Sequence, residues 1–149
     1  MTTVRQISMS DPLYQQEREL RNKILLRPLG TPDFGWEHND PHSAHFVAVS
    51  DGDLVVGCAL LYQNPETPTT SRLMQMAVDD SCQGQGIGRL LVDALLTYAR
   101  QSSLPEVTCH ARGNVVGFYE GLGFETYGEP FVEVGITHRY MRIRTGSVL

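Results

Sequence analysis

A glycine-rich turn between a strand and a helix is the feature that most constrains how this chain can fold. The apolar segment Arg72–Val78 runs into Gly84, Gly86 and Gly88, and an amphipathic helix is predicted over 86–100. Glycines let backbone N–H groups gather around an anion without Cβ clashes. A helix start adds unsatisfied N–H groups and the positive end of the helix dipole. The segment therefore predicts a phosphate cradle within a layered α/β fold.

The spacing of these glycines distinguishes between kinds of phosphate loop. A dinucleotide-binding turn needs GxGxxG, but counted from Gly84 the last place is held by Arg89. A P-loop, GxxxxGK[ST], fails at the same place, and no lysine follows. The pattern that fits is Q-x-x-G-x-G, formed by Gln83, Gly86 and Gly88.

The rest of the chain alternates between strand and helix patterns. Strands are predicted over 3–9, 45–50, 54–62, 72–78, 105–112, 124–127 and 135–143, and helices over 11–27, 86–100 and 115–121. Asp11 and Pro12 mark the predicted start of the first helix, and Asp51-Gly52 predicts a hairpin. The order predicts a single α/β (α+β) domain over 1–149, whose sheet is mixed and mostly antiparallel, with one strand–helix–strand crossover.

Charge and composition narrow the classes of partner. With 17 acidic and 12 basic residues the net charge is −5, which argues against a nucleic-acid surface and suits small cationic ligands. No segment approaches the ~18 apolar residues of a membrane span, and the N-terminus lacks a signal pattern. Three widely spaced cysteines without C-x-x-C indicate free thiols. We therefore predict a cytoplasmic protein with neither nucleic-acid nor membrane partners.

A second motif lies one strand after the glycine turn. The segment Val115–Phe124, VVGFYEGLGF, and the Q-x-x-G-x-G turn together resemble the two cofactor motifs of the GNAT superfamily of acyl-CoA-dependent N-acyltransferases. The C-terminal segment Gly135–Met141, GITHRYM, resembles a subgroup of uncharacterised GNAT proteins that end in a GI-x-H-x-x-M strand. The resemblance covers essentially the whole chain. It implies a GNAT-like domain with a six- to seven-stranded sheet, flanking helices and splayed central strands.

The resemblance implies acetyl-CoA, released as coenzyme A, as the cosubstrate. In this family the strand before the turn pairs with the pantetheine arm, which assigns backbone contacts to Met76 and Val78. The Met76 N–H would also stabilise the oxyanion. The pyrophosphate would be held by the segment Gln83, Gly84, Gln85, Gly86, Ile87, Gly88 and Arg89. For Gln83 the alternative is an amide that only orders the loop.

Tyr119 matches the family's general acid, the phenol that would protonate the thiolate of coenzyme A. The alternative is a core aromatic on a short helix. Many relatives carry a cofactor-binding asparagine seven residues before this tyrosine, where this chain has Arg112. Asn114 is nearby but out of register, and it is retained as a cofactor-contact candidate.

The motifs do not identify the general base. Alternation predicts that Arg72, Met74, Met76 and Val78 share one face of their strand, with Met74 where several relatives carry Glu or His. The candidates elsewhere are Glu37, His110, Glu133 and His138. Glu133 and His138, in the subgroup-like tail, are retained as catalytic candidates, and a water relay is the alternative.

The loop histidines His38, His42 and His45 lie near Asp40, but their spacing suits no helix face, so no metal is predicted. The leading hypothesis is an N-acetyltransferase in which the primary amine of a small molecule or peptide attacks acetyl-CoA directly in a ternary complex. Relatives often form homodimers, so a homodimer is an expectation. A non-catalytic acyl-CoA-binding or sensing module is the main alternative, and an α/β interaction domain with an incidental glycine turn is the other.

Overall fold

The positions of the strands and helices follow the predicted order closely. The computed structural model describes residues 1–146, so the last three residues of the predicted domain, 147–149, lie outside it. The strands are β1 (Thr3–Ile7), β2 (Ser43–Ser50), β3 (Leu54–Tyr62), β4 (Arg72–Val78), β5 (Glu106–Arg112), β6 (Glu125–Glu133) and β7 (Ile136–Arg144). The α-helices are α1 (Tyr14–Arg21), α2 (Ile87–Gln101) and α3 (Val116–Gly121).

The first helix is shorter than predicted because both of its ends take other geometries. The Asp11 carboxylate accepts a hydrogen bond from the Leu13 N–H at 2.8 Å, but regular α-helix begins only at Tyr14. After α1 the chain widens into a π-helical turn, Asn22–Leu26, and then tightens into a 3-10 turn. Pro28 lies in that last turn, and because it has no N–H the helix cannot continue through it.

The seven strands form one sheet in the order β1-β2-β3-β4-β5-β7-β6. Among the strands of residues 1–146, only β4 and β5 are parallel, and α2 connects them as the predicted crossover. A core beneath α1 lies on one face of β1–β4, and a larger core beneath α2 and α3 lies on the other. The predicted mostly antiparallel sheet flanked by helices is thus confirmed. Among residues 1–146, no helix has both the length and the apolar character needed to cross a membrane.

The apolar stripe of α2 packs directly on the sheet. Ile87, Leu91 and Leu95 recur every four residues and are buried. Gly57 of β3 lies beneath them, where an added Cβ would be 3.0 Å from Ile87 Cγ2 and 3.1 Å from Leu91 Cδ1. The missing side chain therefore lets the start of α2 lie close to the sheet, which fixes the position of the turn that precedes it.

The closing hairpin is longer than predicted. β6 continues to Glu133, whereas the pattern ended at 127. Its pairing with β7 shifts register between Tyr127 and Phe131, the stretch that contains Gly128 and Pro130. These residues interrupt the alternation on which the sequence prediction depended, but they do so at a bulge rather than at the end of the strand.

Candidate active site

A gap opens in the middle of the sheet where β4 and β5 separate. The two strands pair only through Arg72 with Thr108 and Leu73 with Cys109. Beyond these pairs the segment 74–78 has no hydrogen-bonded neighbour on the β5 side. The splay of the central strands expected from the resemblance is therefore present.

The free edge of β4 presents backbone groups to this gap. The Asp79 N–H donates to the Val56 carbonyl of β3 at 2.8 Å. Because the groups of an antiparallel ladder alternate in direction, those of Val78, the residue before Asp79, point away from β3 into the gap. The Val78 carbonyl accepts a hydrogen bond from the Gln83 side-chain amide at 3.2 Å.

A β-bulge interrupts β4 beside this edge. The register between β3 and β4 shifts between Cys58 and Leu60, so Gln75 and Met76 together oppose one residue of β3. Gln75 has φ of 51°, the left-handed region that few residues other than glycine adopt. The bulge was not visible in the sequence because a glutamine carries no signal for this conformation.

The bulge overturns the predicted grouping of β4 side chains. Met76 and Val78 pack against the core beneath α2, whereas Ala77 belongs to the core beneath α1. Leu73, before the bulge, packs in the core beneath α2, so its neighbours Arg72 and Met74 lie on the α1 face of the sheet. The prediction that Arg72, Met74, Met76 and Val78 share one face is therefore wrong, since strict alternation holds only in the absence of a bulge.

The Gln75 side chain is held from both ends. Its Nε2 donates to the Trp36 carbonyl at 2.8 Å, and its Oε1 accepts from Arg21 Nη1 at 3.0 Å. Arg21 forms a two-point ion pair with Asp40, at 2.9 and 2.6 Å. Both charged groups are buried, so α1 and the loop before β2 jointly fix the bulge.

The buried ion pair is part of a larger polar network that the sequence did not reveal. Glu17 accepts from His45 Nδ1 at 2.9 Å, and His45 Nε2 lies 2.9 Å from the Asp40 carbonyl. Burial lowers the pKa of His45, but the Glu17 carboxylate outweighs burial and the net pKa is raised. Glu17, Asp40 and His45 lie within metal-ligand range of one another, yet the Arg21 guanidinium already supplies the positive charge, 3.3 Å from Glu17.

Replacing Gln75 with alanine is expected to lower the free energy of unfolding by about 1–3 kcal/mol, because two partly buried hydrogen bonds are lost and Arg21 loses a partner. Urea unfolding followed by circular dichroism measures the change. The control is Gln63→Ala, which removes one exposed hydrogen bond to Pro68 and should change stability by less than about 0.5 kcal/mol. Equal midpoints for the two variants would contradict a role of Gln75 in holding the bulge.

The glycine turn leaves backbone donors free at the start of α2. Gly84 and Gly86 have φ of 81° and 80°, and no side chain caps the helix. The first helical hydrogen bond runs from the Leu90 N–H to the Gly86 carbonyl at 3.1 Å. The preceding N–H groups have no acceptor within the helix, namely those of Ile87, Gly88 and Arg89. This exposed arrangement can bind an anionic phosphate group.

Polar side chains order the loop before the turn. Asp79 accepts from Lys23 Nζ at 2.7 Å and from the Ser81 N–H at 3.2 Å. Lys23 and Ser81 lower the pKa of Asp79 to about 2. Gln83 bonds to Val78, as described above, and its place in the cradle stays a prediction.

Gly88 brings the two sequence motifs together. An added Cβ there would lie 3.3 Å from Phe118 Cζ of α3 and 3.8 Å from Met76 Cε of β4. The adjacent Tyr119 is 6% exposed, and its ring packs edge-on against Phe118 and Phe124 at 5.1 and 5.3 Å. The start of α2, the free edge of β4 and the tyrosine are therefore neighbours.

Burial and the neighbouring Cys109 thiol raise the pKa of Tyr119, so the phenol keeps its proton at neutral pH. Cys109 is the last residue of β5 paired with β4, which places the phenol near the point where the strands separate. Asn114 lies in an exposed 3-10 turn, Gly113–Val115, just before α3. Its cofactor contact stays a prediction.

The four candidates for the general base lie in two separate parts of the structure. Glu37 lies over α1 and is held by Arg18 through bonds of 2.8 and 3.1 Å. His110, Glu133 and His138 meet on the face of β5, β6 and β7 opposite α2. His110 Nδ1 lies 3.1 Å from Glu133 Oε2, and His138 Nε2 lies 3.9 Å from Glu133 Oε1.

The two histidines of this cluster differ in burial and in hydrogen bonding. His138 is 4% exposed, and its Nδ1 donates to the Ile136 carbonyl at 2.7 Å. His110 is half-buried, and burial together with the Arg72 charge lowers its pKa despite the opposing effect of Glu133. His110 is therefore neutral at physiological pH and can accept a proton. The sequence placed His110 and His138 on separate strands and Glu133 between two strands, so only the fold could bring the three together.

The sheet is mixed, and its central strands separate beside a glycine-rich turn. This is the arrangement expected of the acyltransferase class that the sequence motifs resemble. Residues 34–145 match the family described as an acetyltransferase (GNAT) domain, so the chain belongs to this family. Membership of this family supports a role in acyl transfer.

The chain is also similar to individual proteins of this class. It is 30% identical over 100 residues, 67% of each chain, to the protein named "Uncharacterized acetyltransferase in arcA 3'region" of Streptococcus pyogenes. An acyl-CoA N-acyltransferase from Pseudomonas aeruginosa superposes with a TM-score of 0.80 over 95% of this chain and 99% of its own, at 21% identity. An aminoglycoside 6'-N-acetyltransferase complexed with coenzyme A has a TM-score of 0.80 and 16% identity, covering 98% of both chains. These structural likenesses establish the fold.

Proposed function

We propose that this protein is an N-acetyltransferase that transfers the acetyl group of acetyl-CoA to a primary amine by direct attack in a ternary complex. The observation that carries the proposal is the free edge of β4 beside the unpaired N–H groups at the start of α2. The edge suits an extended amide-bearing chain such as pantetheine, and the N–H groups suit its pyrophosphate. Acetyl-CoA supplies an activated acyl thioester when it is bound.

The roles proposed for single residues are those that the resemblance implies, and the gap and the glycine turn support them. The backbone of Met76 and Val78 aligns the pantetheine arm, and the Met76 N–H stabilises the oxyanion formed when the amine attacks. The turn from Gln83 to Arg89 holds the pyrophosphate, with Asn114 as an additional contact. Tyr119, a phenol whose pKa is raised further by burial, donates its proton to the departing thiolate.

The finer features of the proposal rest on the resemblance. The acceptor is the amine of a small molecule or peptide, and the Gly135–Met141 strand groups the chain with the GI-x-H-x-x-M subgroup. A homodimer in the cytoplasm completes the proposal, and light scattering coupled to size-exclusion chromatography tests the dimer. The three cysteines are free thiols, which supports a reducing compartment.

The proposal is tested first by binding and then by turnover. Acetyl-CoA at 100 times its Kd should raise the free energy of unfolding by about 2.7 kcal/mol. Release of the coenzyme A thiol should then be detected with at least one member of a panel of primary amines. Saturable binding without turnover on any amine would instead support the sensing module. Absence of both would overturn the proposed function.

A further inference from the structure

The Arg72 guanidinium has no ion-pair partner in the described part of the protein. Its side chain is half-buried and takes part in no ion pair or hydrogen bond among residues 1–146, and its Nε is fully buried without a partner. Burial lowers the pKa of Arg72, and the charge of the Glu133 carboxylate, which forms no ion pair with it, opposes this effect without reversing it. By contrast, Arg21 on the same face of the sheet has Asp40 as its partner.

His110 lies beside Arg72 and has one ring nitrogen available. The Glu133 carboxylate can only accept from His110 Nδ1, at 3.1 Å, which fixes the proton of the neutral ring on that nitrogen. Nε2 then carries the lone pair, and no described residue hydrogen-bonds to it. This is the geometry of an imidazole base oriented by a carboxylate.

Both groups lie at the mouth of the gap between β4 and β5. Two residue pairs join these strands before they separate, Arg72 with Thr108 and Leu73 with Cys109. His110 is the residue of β5 that follows Cys109. On the side away from β4, His110 is bordered by the rings of Phe131 and Tyr140, at 5.1 and 5.2 Å. An acceptor that approaches a thioester in the gap would therefore pass between a guanidinium and an imidazole.

We propose that the acceptor carries a carboxylate as well as the reacting amine, that Arg72 binds the carboxylate, and that His110 removes a proton from the ammonium. Glu133 is the positioning residue that holds His110. This inference rests on the proposed function and names its substrate class.

The proposed reaction balances in protons and bonds. His110 Nε2 takes one proton from the ammonium and passes it to water. The freed nitrogen lone pair attacks the thioester carbon, the C–N bond forms and the C–S bond breaks. The thiolate takes a proton from Tyr119, and a second proton, from the nitrogen that attacked, restores the phenol.

Matched pairs of acceptors test the role of Arg72. Each of a set of amino acids is compared with its carboxamide at about pH 8, where His110 is neutral. In the wild type, kcat/KM for the best amino acid should exceed that of its carboxamide by at least about tenfold. Arg72→Met should lower this ratio by about 10- to 100-fold, through KM for the amino acid, the effect of a lost hydrogen bond to a charged group. The control Arg142→Met, whose guanidinium pairs with Glu125 farther along β7, should leave the ratio unchanged.

A pH profile separates catalysis by His110 from a purely structural role. The charged and titratable groups that face His110 are Arg72 from β4, Glu133 from β6, and His138 and Tyr140 from β7. The midpoint of the acidic limb of kcat/KM should lie below pH 6.5, the ordinary pKa of histidine, because the pKa of His110 is lowered. Arg72→Met should move the limb to higher pH, and Glu133→Gln to lower pH with a plateau about 10- to 100-fold lower.

The outcomes distinguish this inference from the function on which it rests. Turnover on no amine would overturn the proposed function and this inference together. Turnover with equal kcat/KM for amino acids and carboxamides, or a ratio that Arg72→Met leaves unchanged, would overturn only the acceptor class. An acidic limb that persists unmoved in His110→Gln would overturn the assignment of the base.

Discussion

Replacing Tyr119 with phenylalanine is expected to reduce kcat for amine acetylation about 10²- to 10⁴-fold, the usual contribution of a general acid. The phenol lies near the separation of β4 and β5, and burial raises its pKa. Phenylalanine preserves the ring contacts with Phe118 and Phe124 but cannot protonate a thiolate. The affinity for acetyl-CoA, measured by calorimetry, should therefore change by less than about 1 kcal/mol.

A control variant and a second acyl donor distinguish loss of the general acid from loss of packing. Tyr98→Phe removes a hydroxyl from the same core, on the last turns of α2, and should leave kcat unchanged. An acyl donor whose leaving group departs without protonation, such as p-nitrophenyl acetate, should be used almost equally by wild type and Tyr119→Phe. If the variant is equally impaired with both donors, Tyr119 is a packing residue and the general-acid assignment is wrong.

Replacing Gly86 with valine is expected to weaken binding of acetyl-CoA at least about 100-fold, because hydrogen bonds from backbone donors to a charged phosphate are lost. Gly86 has φ of 80° and immediately precedes α2, so a branched side chain both strains the turn and fills the space before the free N–H groups. Isothermal titration calorimetry measures the loss.

The matched control for this variant is Gly52→Val in the β2–β3 turn. Gly52 has φ of 79°, and like Gly86 it has no atom within 4 Å of an added Cβ. Both variants therefore carry similar backbone strain, about 1–3 kcal/mol, but only one of them lies in the proposed cradle. Equal affinities of the two variants for acetyl-CoA would place the pyrophosphate elsewhere.

The sequence predicted the elements that depend on regular patterns. α2 and the strands β3 and β4 have periodic apolar residues and clear turn signals, and their positions were predicted to within a residue or two. The order of the two motifs along the chain was read from the sequence, whereas their contact through Gly88 and Phe118 was seen only in the structure.

What the sequence did not predict depends on contacts between distant residues. The bulge at Gln75 is maintained by Arg21 and Trp36, neither of which is near it in sequence. One signal was present but unused, because Glu17 and Arg21 are charged residues on the buried face of α1. Charged residues within an apolar stripe indicate a buried polar partner elsewhere. The pairing of His110 with Glu133 needed the register of β5, β7 and β6, which no local pattern encodes.

The free edge of β4 has a consequence for self-association. An unpaired strand edge is normally a site where sheets of separate molecules join and aggregate. Here that edge lies in the interior of the sheet, because β5 stands beside it, and another sheet cannot reach it. The outer edge at β6 carries Glu125, Glu129 and Pro130, residue types that discourage pairing. The fold can thus keep strand-like hydrogen bonds available to a thin ligand without offering them to other copies of itself.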